Sequence, residues 1–520
     1  MASSPLTYDN IKQVPLVVKL NPRDSTLQQD AWMKNVFIEK GDEGPYSVKR
    51  AGLKYLVNMT AAGLATYQFG GMGESSVGNN VVYDLLLVYG VKLMSLSNAV
   101  SANYAPLGTL AAAGQLAQDR YRFVSQPVSP AAGLGSLAFV VFQGSAYSIY
   151  TYGRQGNGLQ TWPISPITTL VPSLCLLDNT WYCLDYQGRI WASAIGDPTT
   201  WPALNSVQVD AATGTPSAMW RHQNYLVCFG TTGIACYYDA AISPGAPIAI
   251  VPNGIFRVGM PLAAGLTLAE LEDTTFFLGE SQGQGFNVYQ MSGTQIQAIS
   301  TPAINRILDT YASIMVADNG ITISGARPGW AIGTAFKSSG QTYYVLTFPT
   351  YTNSLSQVRP GVTLAYSMTI GEWFIWTQQT GGVEAEWQIA ATGGVPNLAN
   401  VQVDRTTGLV YTLDDFTYQD NGQAINVFIQ TDLFNWGNQR IKLIPATYPL
   451  LDIQNSTVSL SWTDNDYQTF STPQVISTVT AKKQLIRCGS TVQRAWRLTH
   501  TDNTPMRFYQ LELEVVPGAL

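Results

Sequence analysis

The sequence predicts an all-β protein: a β-propeller of about six blades, with five or seven also compatible, carrying an N-terminal extension and a C-terminal β-sandwich. Three observations predict it. Short runs of Ile, Val, Leu, Phe, Tyr and Trp end every few residues at Gly, Asp, Asn, Pro or Thr, the pattern of antiparallel strands joined by turns. Paired runs recur with starts about 40 to 70 residues apart, close to the roughly 40–50 residues of a four-stranded propeller blade. Charged residues make up only 12% of the 520, about half the roughly 25% of an average globular chain. With 46 Gly and 27 Pro and no collagen period, this is a turn-rich chain with a neutral surface.

Taken in order, residues 1–55 differ from the rest of the chain, with charges concentrated between Asn21 and Arg50. Ala31 to Glu39 reads as one strand, and Gly41 to Pro45 as a turn. Val81 to Ser97 is a strand pair, whereas residues 98–118 are small, polar and low in complexity and read as a long loop. Leu137 to Tyr152 is a pair around Gly144. The clearest blades lie between Tyr186 and Gly279. Leu226 to Gly230, Thr231 to Gly233 and Ile234 to Tyr238 form a hairpin, in which Gly233 is expected to supply a positive φ. Leu176 to Leu184 repeats the design around Asp178 and Asn179. Further pairs start near 270, 341 and 400.

One helix interrupts the strands. Thr301 is placed to cap it, Pro302 to open it, and Ile304, Ile307, Leu308, Tyr311 and Ile314 share one face. After Gln423 the character changes, and Arg507 to Val515 alternates strictly, predicting a strand with one wet face. Asp464 to Phe470 reads as an Asp-box-like turn in which carboxylates bond backbone N–H groups. The divisions are therefore 1–55 as an N-terminal arm, 56–430 as the propeller and 431–520 as the sandwich.

Charge and composition exclude some functions. The net charge is −6, and no basic face of the kind that displaces counterions from nucleic acid is visible. Lys49, Arg50 and Lys54, and Lys482, Lys483 and Arg487, read as solvated turn charges. Cys175 and Cys183 lie eight apart, as do Cys228 and Cys236, and Cys488 is the odd fifth. A cytosolic site of synthesis predicts free, packed thiols. The start MASSPLTYDN shows no signal-peptide pattern, and no run is long and apolar enough to span a membrane.

Catalytic chemistry is not predicted. His222 and His500 are the two histidines. His222 with Cys228 and Cys236 could form a thiol–imidazole pair or zinc site, but no C-x₂-C pair accompanies them and structural zinc needs four ligands. A glycosidase needs paired carboxylates facing a pocket. Glu270, Glu272 and Asp273, or Asp414 and Asp415, are candidates; neighbours on a strand point to opposite faces, so the last two cannot both aim inward. Gly71–Met72–Gly73 and Gly283–Gln284–Gly285 lack the third Gly and the helix of a dinucleotide loop and read as turns. No catalytic, cofactor-binding or metal residue is assigned. Trp32, Arg50, Trp201 and Trp436 are the interface candidates.

Several segments, in this order, resemble the tail hub, or packaged-DNA stabilisation, proteins of short-tailed bacteriophages, the podoviruses, which are related to tail nozzle proteins. Asp30–Ala31–Trp32 through Lys49–Arg50–Ala51–Gly52–Leu53 looks like the family's N-terminal motif ending in Arg-Pro-Gly, with Ala51 in place of Pro. Trp191–Ala192–Ser193 with Gly196–Asp197–Pro198–Thr199–Thr200–Trp201 looks like its Ser-x-x-Asp-Pro-x-x-Trp segment. Leu226 to Tyr238, Ile299 to Ile304, Tyr343 to Pro349, Leu364 to Tyr366 and Gly371 to Trp373 match later segments. The likeness covers most of residues 25–520 and is weakest over 55–170. It implies a non-enzymatic virion structural protein: a homohexameric ring at the tail end, made in the host bacterial cytoplasm. Its implied partners are a tail adaptor, fibres or spikes, a plug or needle, and genomic double-stranded DNA passing without sequence recognition. It implies no cofactor. The alternative is a carbohydrate-binding or glycan-cleaving propeller for receptor recognition.

Overall fold

The computed structural model describes residues 11–58 and 167–517 apart from 21–22, 24–25, 28–29, 43, 168, 172–173, 243–244, 282, 320–328, 396–397 and 481–484, and between 59 and 166 the backbone of eight strands. The chain is all-β and builds a β-propeller. Four-stranded antiparallel units succeed one another at 72–109, 123–163, 175–208, 216–256, 269–298, 332–375 and 389–414, here called blades 1 to 7. Seven units replace the six that spacing suggested, and they fall within the range it allowed. The extra one arises partly because Tyr104–Thr109, expected in a loop, is the fourth strand of blade 1 and pairs with Lys92–Leu96. An outer strand has one neighbour to satisfy, so small and polar residues suffice there.

Blade 7 closes the wheel with a borrowed strand. Its first three strands come from 389–414, and its fourth is Gly52–Asn58, paired antiparallel to Leu409–Asp414. First strands touch between blades 1 and 2, 3 and 4, 5 and 6, 6 and 7, and 7 and 1. Between blades the chain approaches closely. A Cβ on Gly333, at the start of blade 6, would lie 2.0 Å from the carbonyl oxygen of Thr267, in the link between blades 4 and 5. The second strands of blades 3 to 6 are buried on both faces; every residue of Gln341–Phe348 is buried. Burying a single Leu or Phe there contributes roughly 1.5–3 kcal/mol.

Turn chemistry explains the hairpins. Asp178 (φ 46°) and Asn179 (φ 61°) both adopt the left-handed conformation of a type I′ turn in blade 3. Blade 4 departs from expectation, because Gly233 is not in that conformation. It is required for space: a Cβ would lie 2.8 Å from the Ala212 oxygen and 3.0 Å from the Phe256 oxygen. Met72 and Gly73, expected in a turn, open the first strand of blade 1, and Gly71 lies outside the described residues. Gly283 (φ 76°) and Gly285 (φ 101°) do turn the chain.

The helix Pro302–Asn319 links blades 5 and 6. The Thr301 hydroxyl accepts from the Ile304 N–H at 3.3 Å, and Ile304, Ile307, Leu308, Ala312 and Met315 are buried. It packs on the third strand of blade 5, Phe286–Ser292.

Beside small two- and three-stranded sheets, most of the remaining strands join two large sheets around one apolar cluster that includes Val14, Met33, Phe37, Ile429, Leu460, Trp496, Leu498, Phe508 and Leu511. One is six-stranded and mixes Ile11–Pro15, Val36–Gly41 and Gly44–Lys49 with Ala446–Leu451, Leu485–Ile486 and Arg507–Glu514. The other continues blade 6: Trp32–Lys34 lies parallel to Glu372–Ile375 and antiparallel to Val427–Gln430. A nine-stranded sheet thus runs from the wheel into the C-terminal strands. The divisions expected at 55/56 and 430/431 both fall beside strands that pair across them, Gly52–Asn58 in blade 7 and Val427–Gln430 in this sheet.

Candidate functional site

The densest polar constellation lies where the wheel joins the two-sheet body. It begins at Asn35. The single strand expected over Ala31 to Glu39 is broken there, because Asn35 adopts φ 58° and sends the chain into different sheets on either side. Asn tolerates this conformation better than most residues. Its amide is fully used. Oδ1 accepts from the Arg50 Nε at 3.1 Å and the Thr377 N–H at 2.8 Å, while Nδ2 donates to Thr377 Oγ1 at 2.8 Å and the Asn426 oxygen at 2.9 Å.

Arg50 completes the joint. Its two terminal nitrogens hold the Asp420 carboxylate at 3.0 and 2.5 Å and also donate to the oxygens of Ala51 at 2.9 Å and Thr377 at 2.7 Å. With Nε, all five donors are satisfied. The guanidinium carbon lies 4.7 Å from the centre of the Trp387 ring. Arg50 was an interface candidate and a solvated charge by sequence. It is instead an internal fastener, because only complete pairing makes a buried guanidinium tolerable.

Lys49 is buried beside it and donates to the Asp502 carbonyl at 2.6 Å. Burial, then the neighbouring Arg50 charge, lowers its pKa to about 7. Next to it His500 Nε2 lies 2.8 Å from Ser456 Oγ, and that hydroxyl donates to Asp502 Oδ2 at 2.9 Å. The residue types resemble a nucleophilic triad, but the donor chain runs the wrong way. An ionised carboxylate only accepts, so the Ser456 hydroxyl donates its hydrogen bond to Asp502 and accepts one from His500 Nε2. A serine nucleophile must give its proton to the imidazole. Burial, then Lys49, lowers the His500 pKa to about 4, so the ring is neutral at pH 7.

The other candidates are structural pieces. His222 Nδ1 lies 2.8 Å from Thr275 Oγ1 and is buried, bridging blades 4 and 5. Cys175, Cys183, Cys228, Cys236 and Cys488 are all free and buried. Glu270 accepts from Trp220 Nε1 at 2.8 Å; Glu272 and Asp273 form a left-handed turn. Asp414 binds the Thr417 hydroxyl at 2.8 Å, and Asp415 accepts from Ser338 and Ser339 at 3.1 and 3.0 Å. In the Asp-box-like turn, Asn465 rather than a carboxylate accepts the Thr469 N–H, at 3.0 Å. Asp464 and Asp466 bind Arg494 and Arg23 instead. Among the described residues no group of three or more His, Cys, Asp or Glu is arranged to hold a metal, and no helix is long and apolar enough to cross a membrane.

Of the remaining interface candidates, Trp201 is buried and its Nε1 donates to the Pro198 oxygen at 2.8 Å, locking its own loop. Trp32 is half-buried with its ring centre 4.4 Å from that of Phe428. Trp436 is half-buried beneath the Lys442 ammonium at 5.8 Å. Lys482 and Lys483 lie outside the described residues. What composition missed are aliphatic and aromatic residues standing in water on loops. At the end of the wheel bearing the first hairpin turns stand Ile195, Leu204 (82% exposed), Ile242 and Phe416 (92%). At the opposite end stand Leu355, Val358 and Val383. Sequence reasoning had no signal for these, since each sits among small or polar neighbours.

The Phe416 loop is rigidly braced. Asp414 accepts the Phe416 N–H at 3.2 Å, the Thr417 oxygen accepts from the Gly52 N–H at 2.7 Å, and Asn503 accepts from the Tyr418 N–H at 3.0 Å. A fixed, exposed aromatic of this kind suits an anchor at an interface.

Comparison with solved structures finds chains of low overall similarity. They include BBS1N in complex with ARL6DN (12% identity, 70% of this chain and 98% of that chain, TM-score 0.39). They also include the Neurospora crassa Pan2 WD40 domain (8% identity, 70% of this chain and 94% of that chain, TM-score 0.40). No curated protein matches the chain. Residues 124–322, blades 2 to 5 and the helix, match the family model described as "Bacteriophage P22 Gp10, beta-propeller", and this match supports a phage-stabilisation family.

Proposed function

We propose that this protein is a non-enzymatic structural component of a bacteriophage virion, a tail hub or nozzle subunit that joins its copies into a ring retaining packaged DNA and passing it at ejection. The match of residues 124–322 to the P22 Gp10 propeller is the observation that carries the reading. The physical chemistry of the chain supports it. The wheel is closed by its own N-terminal strand and fastened to the two-sheet body by Arg50, a build suited to bearing load rather than to opening around a substrate. His222 and His500 are spent on internal bonds.

Charge fits a conduit. Six chains at −6 each carry about −36, so the assembly as a whole repels DNA phosphates and does not bind them as a basic wall would. The hexamer, the adaptor, fibre and plug contacts, the virion-tail location and the absence of enzymatic activity all belong to this proposal.

Native mass spectrometry and negative-stain imaging of the purified chain, alone and with the tail adaptor of the same phage, test it. Six-fold rings, alone or on adding adaptor, are the expected result. A chain that stays monomeric in both conditions, or a ring that binds duplex DNA tightly at physiological salt, would overturn it.

A further inference from the structure

The six-stranded sheet carries a half-open groove of about 620 Å³ on its outer side, lined by Gly41, Asp42, Pro45, Tyr46, Leu450, Arg507, Tyr509 and Gln510 among others. That volume lies within the roughly 300–1,000 Å³ of small-ligand sites. We propose that this groove binds a neutral oligosaccharide, with Tyr46 and Tyr509 as the aromatic wall and Asp42 and Gln510 as the hydroxyl-reading groups. The proposal does not depend on the ring.

A backbone irregularity builds the wall. Leu450 pairs with Gln510, but Leu451 pairs with Phe508, so Tyr509 is an extra residue in its strand. In a regular strand Tyr509 and Gln510 would point to opposite faces. The bulge lets both line the same groove, and bulges re-aim side chains in this way beside binding sites. The strict alternation that the sequence shows over Arg507 to Val515 is broken at this one place, where two successive residues are both half-exposed.

The groove is set before any ligand arrives. The Tyr46 and Tyr509 ring centres are 5.1 Å apart at 43°. The Tyr46 hydroxyl donates to Glu39 at 2.9 Å, and the Arg507 guanidinium carbon lies 5.8 Å from the Tyr46 ring centre. Arg507 is held in turn by Asp452, its Nε 3.0 Å from Oδ2. Side chains fixed in this way lose little entropy on binding.

Chemistry and charge select the ligand. Pyranose rings present apolar C–H faces, which pack on aromatic rings, and vicinal hydroxyls, which planar carboxylate and amide groups read in pairs. Asp452 balances Arg507, which leaves the exposed Asp42 as the charge among the described lining residues. A sialylated or sulfated glycan would meet that carboxylate unfavourably, whereas a neutral hexose or deoxyhexose chain would not.

The test applies the full-length protein to an array of neutral hexose and deoxyhexose oligosaccharides printed beside sialylated and sulfated ones. Retention on neutral glycans is expected. Tyr509→Ala and Gln510→Ala should each cut it at least tenfold, and Tyr509→Phe should keep most of it. Asp42→Asn, at an exposed turn position, should weaken neutral glycans and relax the bias against anionic ones; it decides the case if Tyr509→Ala fails to fold. No retention on any neutral glycan, a preference for anionic ones, or full retention by folded Gln510→Ala and Asp42→Asn overturns the proposal. None of these outcomes bears on ring formation, which is read separately by mass.

Discussion

Arg50 and Asp420, 370 positions apart in the chain, meet as a two-pronged ion pair with both side chains 2% exposed. Arg50 stands one residue after a strand of the two-sheet body and two before the strand that closes blade 7. The pair therefore fixes the point at which the chain passes from one half to the other. Removing one partner strands a buried charge, at a cost of about 3–5 kcal/mol. Arg50→Met and Asp420→Asn should each lower the unfolding free energy from denaturant titration by that measure. The double variant should cost less than the two singles combined. Additive losses in a double-mutant cycle would show that the pair is not coupled.

Gly52 tests the closing strand directly. A Cβ there would lie 2.3 Å from the Gln419 oxygen and 2.7 Å from the Thr417 oxygen, both backbone atoms that cannot swing away. Gly52→Ala should destabilise by about 1–3 kcal/mol, as overpacking does. Limited proteolysis should then cut first near 52–58. An unchanged unfolding temperature would mean that the strand adjusts without penalty.

Asn35 separates conformation from bonding. Asn35→Gly keeps the left-handed backbone and loses the amide; Asn35→Ala loses both. Each buried hydrogen-bonding partner left unmade costs about 1–3 kcal/mol, with a further 1 kcal/mol or so of backbone strain in alanine. Calorimetry should rank wild type above glycine and glycine above alanine. Equal stability of all three would show that neither the turn nor its bonds matter.

Stability should rise with pH through two windows. His500 is lowered by burial and by Lys49 to about 4 in the folded chain, from 6.5. The unfolded chain then binds more protons between those values, so stability present above pH 6.5 is lost as pH falls toward 4. Lys49, lowered by burial to about 7 from 10.5, has the same sign, and stability climbs from pH 7 toward 10.5. Each window is worth on the order of 3–5 kcal/mol. His500→Gln should flatten the acid limb and Lys49→Met the alkaline one in urea titrations. Slopes unchanged by these variants would place the pH dependence elsewhere.

If the protein assembles as proposed, its exposed anchors should matter for assembly and not for folding. Phe416→Ser and Leu204→Ser should leave the melting temperature within about 1 °C, since exposed positions away from caps and pairs change stability little. Ring yield by native mass spectrometry should fall several-fold for at least one of them. Full ring yield in both would move the contacts to other surfaces.

Local sequence determined the fold class, the helix and most hairpins, because each rests on neighbours: turn formers such as Asp178 and Asn179, the Thr301 cap, and apolar runs of strand length. A likeness of the middle blades to a phage propeller family was also legible, since residues 124–322 match its family model. Partnership at a distance was not legible. Nothing near Gly52 says that it pairs with Asp414, and nothing near Trp32 says that it joins Glu372–Ile375 to Val427–Gln430. Arg50 looked like a surface charge because burial depends on Asp420, Asn35 and Trp387, supplied from far along the chain. The groove beside Tyr509 depends on which residue of a partner strand it faces, a register that only the assembled sheet decides.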